Sequence, residues 1–245
     1  MEEDVHIDPW GSAQSTDYDR IISQFGLQSF SNLEVLEPSK LHRRGIIFAH
    51  RDLDLIMDSI SMKKKFGVMT GLMPSGQMHL GHSMVVDQVR WFQDHGGDVS
   101  IAVADLESQA TRGVSLEKGR EIALTEYVAN YAALGLDPEK VNVYFQSRRH
   151  DVQRLGFQLG KKTNLSELEA IYGFSGQTNL AHVQSPLVQA GDILHPQLDE
   201  YGGLRPIVVP VGVDQDPHIR LTRGLAGKTN WFNVKPGPKT GLEFH

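Results

Sequence analysis

Short apolar runs and longer amphipathic segments alternate along most of the chain, and this pattern predicts strands and helices in turn. The runs with the length and composition of buried strands are "FGVMTG" (66–71), "VSIAVA" (99–104), "VNVYFQ" (141–146) and "PIVVPVGV" (206–213). The segments with helical spacing cover residues 79–97, 115–135 and 216–227. Because strands alternate with helices, the pattern predicts an α/β fold with a parallel sheet and helices on both faces.

Residues with known preferences for helix ends support these boundaries. Ser115 is a candidate N-cap of the second helix, and Gly96 and Gly135 stand where the first and second helices should end. For the third helix, Asp216 is the candidate N-cap and Pro217 the first helical residue.

Two segments depart from the alternation. Residues 1–65 begin with a polar, turn-rich stretch and continue into a short apolar run and a predicted helix, so we interpret them as an N-terminal extension. Residues 147–205 are polar and glycine-rich, and we interpret them as an insertion between the third and fourth strands. The main domain is then expected over residues 66–245.

Composition narrows the class of protein. The 40% apolar fraction suffices for a core, and no apolar run approaches the length of a membrane span. The acidic N-terminus is unlike a signal peptide, and the chain has no cysteine, so we expect a soluble cytoplasmic protein without disulfides. With a net charge of −6, any contact with RNA has to use a local basic patch.

The stretch "PSGQMHLGHSM" (74–84) carries the first candidate chemistry. His79 and His82 follow an apolar strand and stand at a predicted helix start, where free N–H groups and the helix dipole attract anions. The spacing differs from the HExxH zinc motif, so a phosphate or nucleotide site is favoured over a tightly bound metal. Neither a Walker loop nor a G-x-G-x-x-G after a strand is present. The segment "VGVDQDPH" also lies at a strand-to-helix turn, so both are expected on the rim at the strand ends.

Three segments together resemble a known family. "PSGQMHLGH" looks like the HIGH signature of class I aminoacyl-tRNA synthetases of the tyrosine and tryptophan subclass. "VPVGVDQDPHIRLTR" (209–223) resembles the G-x-DQ segment of that subclass, and "RRGIIFAHRDLD" (43–54) resembles the lead-in of its archaeal and eukaryotic members. The resemblance implies a Rossmann-like catalytic domain, a ligase activity that consumes ATP with Mg²⁺, a tRNA partner and a homodimer.

The resemblance also implies an ATP site. His79 and His82 would contact the triphosphate, Gly81 would let adenine pack closely, and Asp214 would bind the ribose hydroxyls. The remaining positions carried over to the ATP site are Pro74, Ser75, Gly76 and Gly212.

A second group of residues would bind the amino acid. Gln215 would bind its α-amino group, Gln189 would help to hold the amino acid, and Glu107 is a weaker candidate for the same pocket. Asp192, in "SPLVQAGDIL", can accept a hydrogen bond from an indole or a phenol. Met69 stands where tyrosyl enzymes carry a tyrosine that binds the substrate hydroxyl, and this favours tryptophan, with tRNA(Trp) as the partner.

The sequence also departs from the family pattern. Ser185 replaces a usual tyrosine, and neither the KMSKS lysine loop nor a helical anticodon-binding domain has a match; "KPGPKTG" (235–241) does not carry over. We therefore expect a catalytic-domain part whose isolated chain lacks one half of the ATP site. A tyrosyl relative, a non-catalytic binding protein built from a synthetase domain and a zinc-binding module remain as alternatives.

Overall fold

The computed structural model describes residues 18–229 and 231–232 of the chain. The strands of the described part are β1 (Gln28–Ser29), β2 (Ala49–His50), β3 (Gly67–Leu72), β4 (Asp98–Val103), β5 (Val141–Phe145) and β6 (Ile207–Val208). Its helices are α1 (Tyr18–Phe25), α2 (Lys40–Arg43), α3 (Asp54–Ser61), α4 (Leu80–Asp94), α5 (Asp105–Arg112), α6 (Leu116–Ile122), α7 (Ala129–Ala133), α8 (His150–Leu159), α9 (Leu165–Tyr172), α10 (Leu180–Leu194) and α11 (Asp216–Gly227). The "KPGPKTG" segment lies outside the described residues.

Four strands form one parallel sheet in the order β5–β4–β3–β6, which confirms the predicted sheet. β3 pairs with β4 over its whole length, from Gly67 opposite Asp98 to Leu72 opposite Val103. The fourth strand is only two residues long, so the prediction of a strand over 206–213 was wrong in length. The pairing with β3 ends at Val208, and Pro210, two residues later, lacks the N–H that would continue the ladder.

Both faces of the sheet are buried, which explains why the strands read as nearly continuous apolar runs. On one face, Val68 and Leu72 pack with residues of α4 and with Tyr127. On the other face, Met69 packs with Tyr144 and belongs to a separate cluster. Successive residues of β3 therefore serve opposite faces, as strand geometry requires. Within the described residues, no helix has both the length and the apolar character needed to cross a membrane.

The helix ends agree with the sequence at Ser115, Gly96 and Gly135; Gly135 has a φ of +93° just after α7. They differ at the start of α11, where Pro217 is the second helical residue and not the first. Ser115 caps α6 by accepting a hydrogen bond from the backbone N–H of Lys118 at 3.2 Å. Gly96, just after α4, has a φ of +91°, which favours glycine. The prediction that Asp216 caps α11 was wrong: it is the first helical residue, and its carboxylate pairs with Arg51 and Arg220 instead.

Two predicted regions have more internal structure than the sequence indicated. The helix expected over 115–135 is α6 and α7 joined by a π-helical segment, Ala123–Val128. The chain between β5 and β6, expected as a polar insertion, folds into α8, α9 and α10.

α8 and α10 approach each other closely at two glycines. A Cβ atom on Gly191 of α10 would lie 2.5 Å from the carbonyl oxygen of Val152, and one on Gly156 of α8 would lie 2.8 Å from the carbonyl oxygen of Leu187. Backbone atoms cannot move aside as a flexible side chain can. The two glycines therefore allow the close packing of α10 against α8.

We predict that Gly191→Ala lowers the free energy of unfolding by about 1–3 kcal/mol, because the added methyl group has to displace α8. Urea unfolding measures this change. Gly224→Ala is the matched control: this glycine is exposed in α11 with open space around it, so the substitution should stabilise the protein by up to ~1 kcal/mol. Equal effects at both positions would contradict the packing argument.

Candidate nucleotide and amino-acid site

Two histidines in the turn after β3, His79 and His82, form the cap at the start of α4. His79 is the N-cap of α4, and its Nδ1 accepts a hydrogen bond from the backbone N–H of Gly81 at 3.2 Å. His82 Nδ1 accepts one from the backbone N–H of His79, also at 3.2 Å. Since both Nδ1 atoms act as acceptors, the proton of each neutral imidazole resides on Nε2. The turn thus presents two Nε2–H donors beside the N-terminus of a 15-residue helix.

Packing keeps this pair in place and favours the neutral form of the His82 ring. The two imidazole centroids lie 3.9 Å apart, and the edge of the His82 ring contacts Tyr127 of the π-helical segment. Burial, with a smaller contribution from His79, lowers the pKa of His82 below its usual value. A Cβ atom on Gly81 would lie 3.0 Å from Cε1 of the His79 ring, a tight contact that glycine avoids.

The residues before the turn fix its course. The backbone N–H of Ser75 donates to the carbonyl of Met73 at 2.8 Å, and the buried Pro74 carbonyl accepts from the Ser108 hydroxyl at 3.1 Å. Gly76 is exposed, with open space around it. This part of the site is anchored to α5 through Ser108.

A second turn carries Asp214 and Gln215. It follows β6, which runs parallel to β3, so both turns follow strands that point in the same direction, as predicted. Gln215 Nε2 donates to Asp214 Oδ2 at 2.8 Å, and Gln189 Nε2 from α10 reaches Gln215 Oε1 at 3.4 Å. Gly212 leaves space for the Asp214 carboxylate, which a Cβ atom there would touch. A hydrogen-bonded chain thus joins the predicted ribose-binding and amino-acid-binding residues.

Asp192 lies deep in the same region, on α10. The Tyr144 hydroxyl donates to its Oδ1 at 2.7 Å, and Gln146 Nε2 donates to its Oδ2 at 2.5 Å. Burial raises the pKa of Asp192 to about 7, although these two hydrogen bonds act in the opposite direction. The apolar wall beside it is the cluster that contains Met69 and Val152.

Glu107 lines a cavity of about 440 Å³ between α5 and α10. Gln146, Ser185 and Val188 line the same cavity. Burial raises the pKa of Glu107 to about 7, and the nearby Asp192 adds to the shift. Two carboxyl groups that both titrate near neutral pH therefore stand close together, as is common at binding sites.

Tyr144 and Gln146 were missed by the sequence analysis. They are two residues apart at the end of β5 and hence point to the same face, toward Asp192. Two polar side chains in a run predicted to be buried were the available signal. The sequence could not show which carboxylate they serve, since Asp192 is 48 residues from Tyr144.

The structure thus groups the predicted residues into three parts. The histidine turn stands at the end of β3, the Asp214–Gln215 turn is linked to Gln189, and Asp192 lies with Met69 and Glu107. Among the described residues there is no group of three or more His, Asp or Glu side chains placed to hold a metal ion.

Comparison with protein families gives a match over most of the chain. The model of class I tRNA synthetases of the W and Y group matches residues 61–239. This span contains the histidine turn, all of the sheet and the Asp214–Gln215 turn.

Individual relatives agree with this match. A tryptophan–tRNA ligase from Methanosarcina acetivorans is 49% identical over 98% of this chain and 56% of its own length. The crystal structure of a tryptophanyl-tRNA synthetase from Aeropyrum pernix matches with a TM-score of 0.83 and 45% identity, over 95% of this chain and 64% of that one. A tryptophanyl-tRNA synthetase from Encephalitozoon cuniculi, solved bound to tryptophan, matches with a TM-score of 0.76 and 26% identity, over 91% and 72%.

This chain spans a little over half the length of the Methanosarcina relative. Within that span the family match, the parallel sheet and the two turns at the strand ends agree. The chain belongs to the class I tRNA synthetases of the tryptophan and tyrosine group.

Proposed function

We propose that the protein is a tryptophan–tRNA ligase, which activates tryptophan with ATP to tryptophanyl-adenylate and transfers it to tRNA(Trp). The observation that carries this proposal is the 49% identity to a tryptophan–tRNA ligase over 98% of the chain. The histidine turn would form the ATP site, and the surroundings of Asp192 would form the amino-acid site.

Activation requires the protein to align the two substrates and to stabilise the negative charge of the transition state. A carboxylate oxygen of tryptophan forms a bond to the α-phosphorus of ATP, and the bond from that phosphorus to the pyrophosphate oxygen breaks. ATP arrives with Mg²⁺ as the substrate. The Nε2–H groups of His79 and His82 would donate to phosphate oxygens, where negative charge develops in the transition state. The hydrogen bonds that both Nδ1 atoms accept support this role, because they leave Nε2 as the donor. Neutral imidazoles suit this role, because each keeps one donor and needs no proton transfer.

The Asp214–Gln215 turn would bind the parts of the two substrates that do not react. Asp214 offers carboxylate oxygens to the ribose hydroxyls, and Gln215 would hold the α-amino group. Gln189 Oε1 is buried and has no hydrogen-bond partner among the described residues, so an ammonium donor would satisfy it. Glu107 would supply the negative charge for the same group.

The pocket beside Met69 suits an indole better than a phenol. A thioether packs well against an aromatic face but offers no strong hydrogen bond. An indole carries one donor and no acceptor, so the Asp192 carboxylate satisfies its polar edge. A phenol also needs a donor at this end, and the two donors beside Asp192 already serve its carboxylate.

Homodimerisation and binding of tRNA(Trp) belong to the same proposal and rest on the family resemblance. The activity is tested in the full-length protein by pyrophosphate–ATP exchange. Exchange that depends on tryptophan supports the proposal. Exchange with tyrosine but not tryptophan would replace it with a tyrosyl enzyme, and exchange with neither would point to a binding protein.

We predict that His82→Ala lowers kcat for exchange by about a hundred- to a thousandfold, equivalent to about 3–4 kcal/mol, because one charge-stabilising donor is lost. The matched control is His95→Ala, just after the other end of α4, which should leave kcat unchanged. An unaltered rate in the His82 variant would remove this residue from the ATP site.

We predict that Asp192→Asn weakens tryptophan binding by about 1–3 kcal/mol and leaves ATP binding unchanged. The asparagine has one acceptor oxygen and no negative charge, whereas the carboxylate has two oxygens that accept from Tyr144 and Gln146. The hydrogen bond from the indole N–H would therefore lose its charged acceptor. Calorimetric titration with each ligand separately measures both affinities. Asp199→Ala, at an exposed position seven residues further on, serves as the control. Equal losses for the two ligands would refute a role at the indole.

A further inference from the structure

The N-terminal extension is joined to α11 by two ion pairs. Arg51 Nη2 lies 3.0 Å from Asp216 Oδ1, and its Nε donates to the same oxygen at 3.1 Å. Asp52, the next residue, accepts from Arg223 Nη2 at 2.5 Å. Neighbouring residues of the extension therefore contact the first turn of α11 and a point about two turns further along it.

The residues of the Arg51–Asp216 ion pair make several further contacts with the fold. The Arg51 guanidinium also donates to the carbonyl of Phe25 at 2.7 Å and to that of Gly26 at 3.3 Å, at the end of α1. From the other side, Arg220 contacts Asp216 Oδ2 at 3.0 Å and lies over the Phe25 ring. Asp216 is thus held between two guanidinium groups.

Burial makes the inner pair strong. The side chains of Arg51 and Asp216 are 15% and 9% exposed, against 26% and 25% for Arg223 and Asp52. Charged pairs are screened less by water when they are buried. Loss of Arg51 would leave the carboxylate of Asp216 with Arg220 as its remaining ion-pair partner. The Arg51–Asp216 contact is therefore the firmer of the two links.

Asp216 directly follows the turn that carries Asp214 and Gln215. That turn is the short 3-10 segment Val213–Gln215, and α11 begins at Asp216 without a side-chain cap from Gln215. A helix start without such a cap is less constrained at its first residues. The ion pair with Arg51 supplies the constraint at this point.

We propose that Arg51 is a positioning residue of the active site, which acts through Asp216 to fix the orientation of Asp214 and Gln215. The N-terminal extension then contributes to the binding machinery through the contact of Arg51 with Asp216. The proposal rests on the ligase function proposed above, since Asp214 and Gln215 act on substrates only there.

The test compares Arg51→Met with Arg223→Met in the full-length protein. Both substitutions remove one guanidinium from the same interface, but only the first releases the turn. We expect Arg51→Met to raise the KM values for ATP and tryptophan by roughly ten- to a hundredfold, as small misplacements of binding groups do. The kcat should stay within about threefold, because the lost contacts act in ground state and transition state alike.

Arg223→Met should leave both KM values within about threefold of the wild type. Arg51→Lys should give intermediate KM values, because lysine keeps the charge but not the bidentate fork. A purely structural role for Arg51 would instead lower the melting temperature and the active fraction, and hence kcat, with KM unchanged; that pattern overturns the proposal. Equal KM changes in the Arg51→Met and Arg223→Met variants would overturn it as well.

Hydrogen exchange in the ligand-free protein separates this inference from the proposed function. We expect Arg51→Met, and not Arg223→Met, to accelerate amide exchange over residues 213–216. Unaltered exchange there would refute the positioning role whatever the enzyme activates. A wild-type protein that catalyses no pyrophosphate–ATP exchange would refute the proposed function. Faster amide hydrogen exchange in Arg51→Met would in that case still show that Arg51 fixes the turn.

Discussion

The central position of β3 in the parallel sheet is the constraint on which the site depends. With β4 on one side and β6 on the other, the end of β3 opens onto the middle of the sheet edge. The chain must turn there and enter α4, and the histidine turn occupies that point. The parallel direction of β6 then brings the Asp214–Gln215 turn to the same edge. Helix N-termini and strand ends together make this edge suited to an anionic ligand.

Burial of Asp192 determines the charge and hydrogen bonding of the proposed amino-acid site. A carboxylate this deep in a protein is costly unless it is hydrogen-bonded, and the two donors from the end of β5 meet that need only in part. Burial raises the pKa of both Asp192 and Glu107, which disfavours their charged forms. A ligand that brings a cationic ammonium group and an indole N–H would stabilise the ionised forms. Under the proposed function, selection of the amino acid would follow from charge and hydrogen bonding rather than from shape alone.

Much of the sheet was predictable, because buried strands and their following helices leave clear apolar periods in the sequence. The histidine turn was also predictable in place, since Pro74, Gly76 and Gly81 mark a turn and a close approach. The length of the fourth strand and the role of Asp216 were not predictable. A local pattern cannot show where the pairing of β6 with β3 ends, or that the Asp216 carboxylate pairs with Arg51, 165 residues away in the sequence. Tyr144 and Gln146 escaped for the same reason, because their partner is distant in sequence. The sequence indicated the local motifs, but it did not show which distant residues contact each other in the fold.

The account predicts that one bound molecule spans all three parts of the site. The most direct test is a crystal structure of the full-length protein with a non-hydrolysable analogue of tryptophanyl-adenylate. The indole should pack on Met69 with its N–H directed to Asp192, the amino group should contact Gln189 or Gln215, and the phosphate should lie within hydrogen-bond distance of His79 or His82 Nε2. An analogue bound elsewhere, or with its indole away from Met69 and Asp192, would contradict the account.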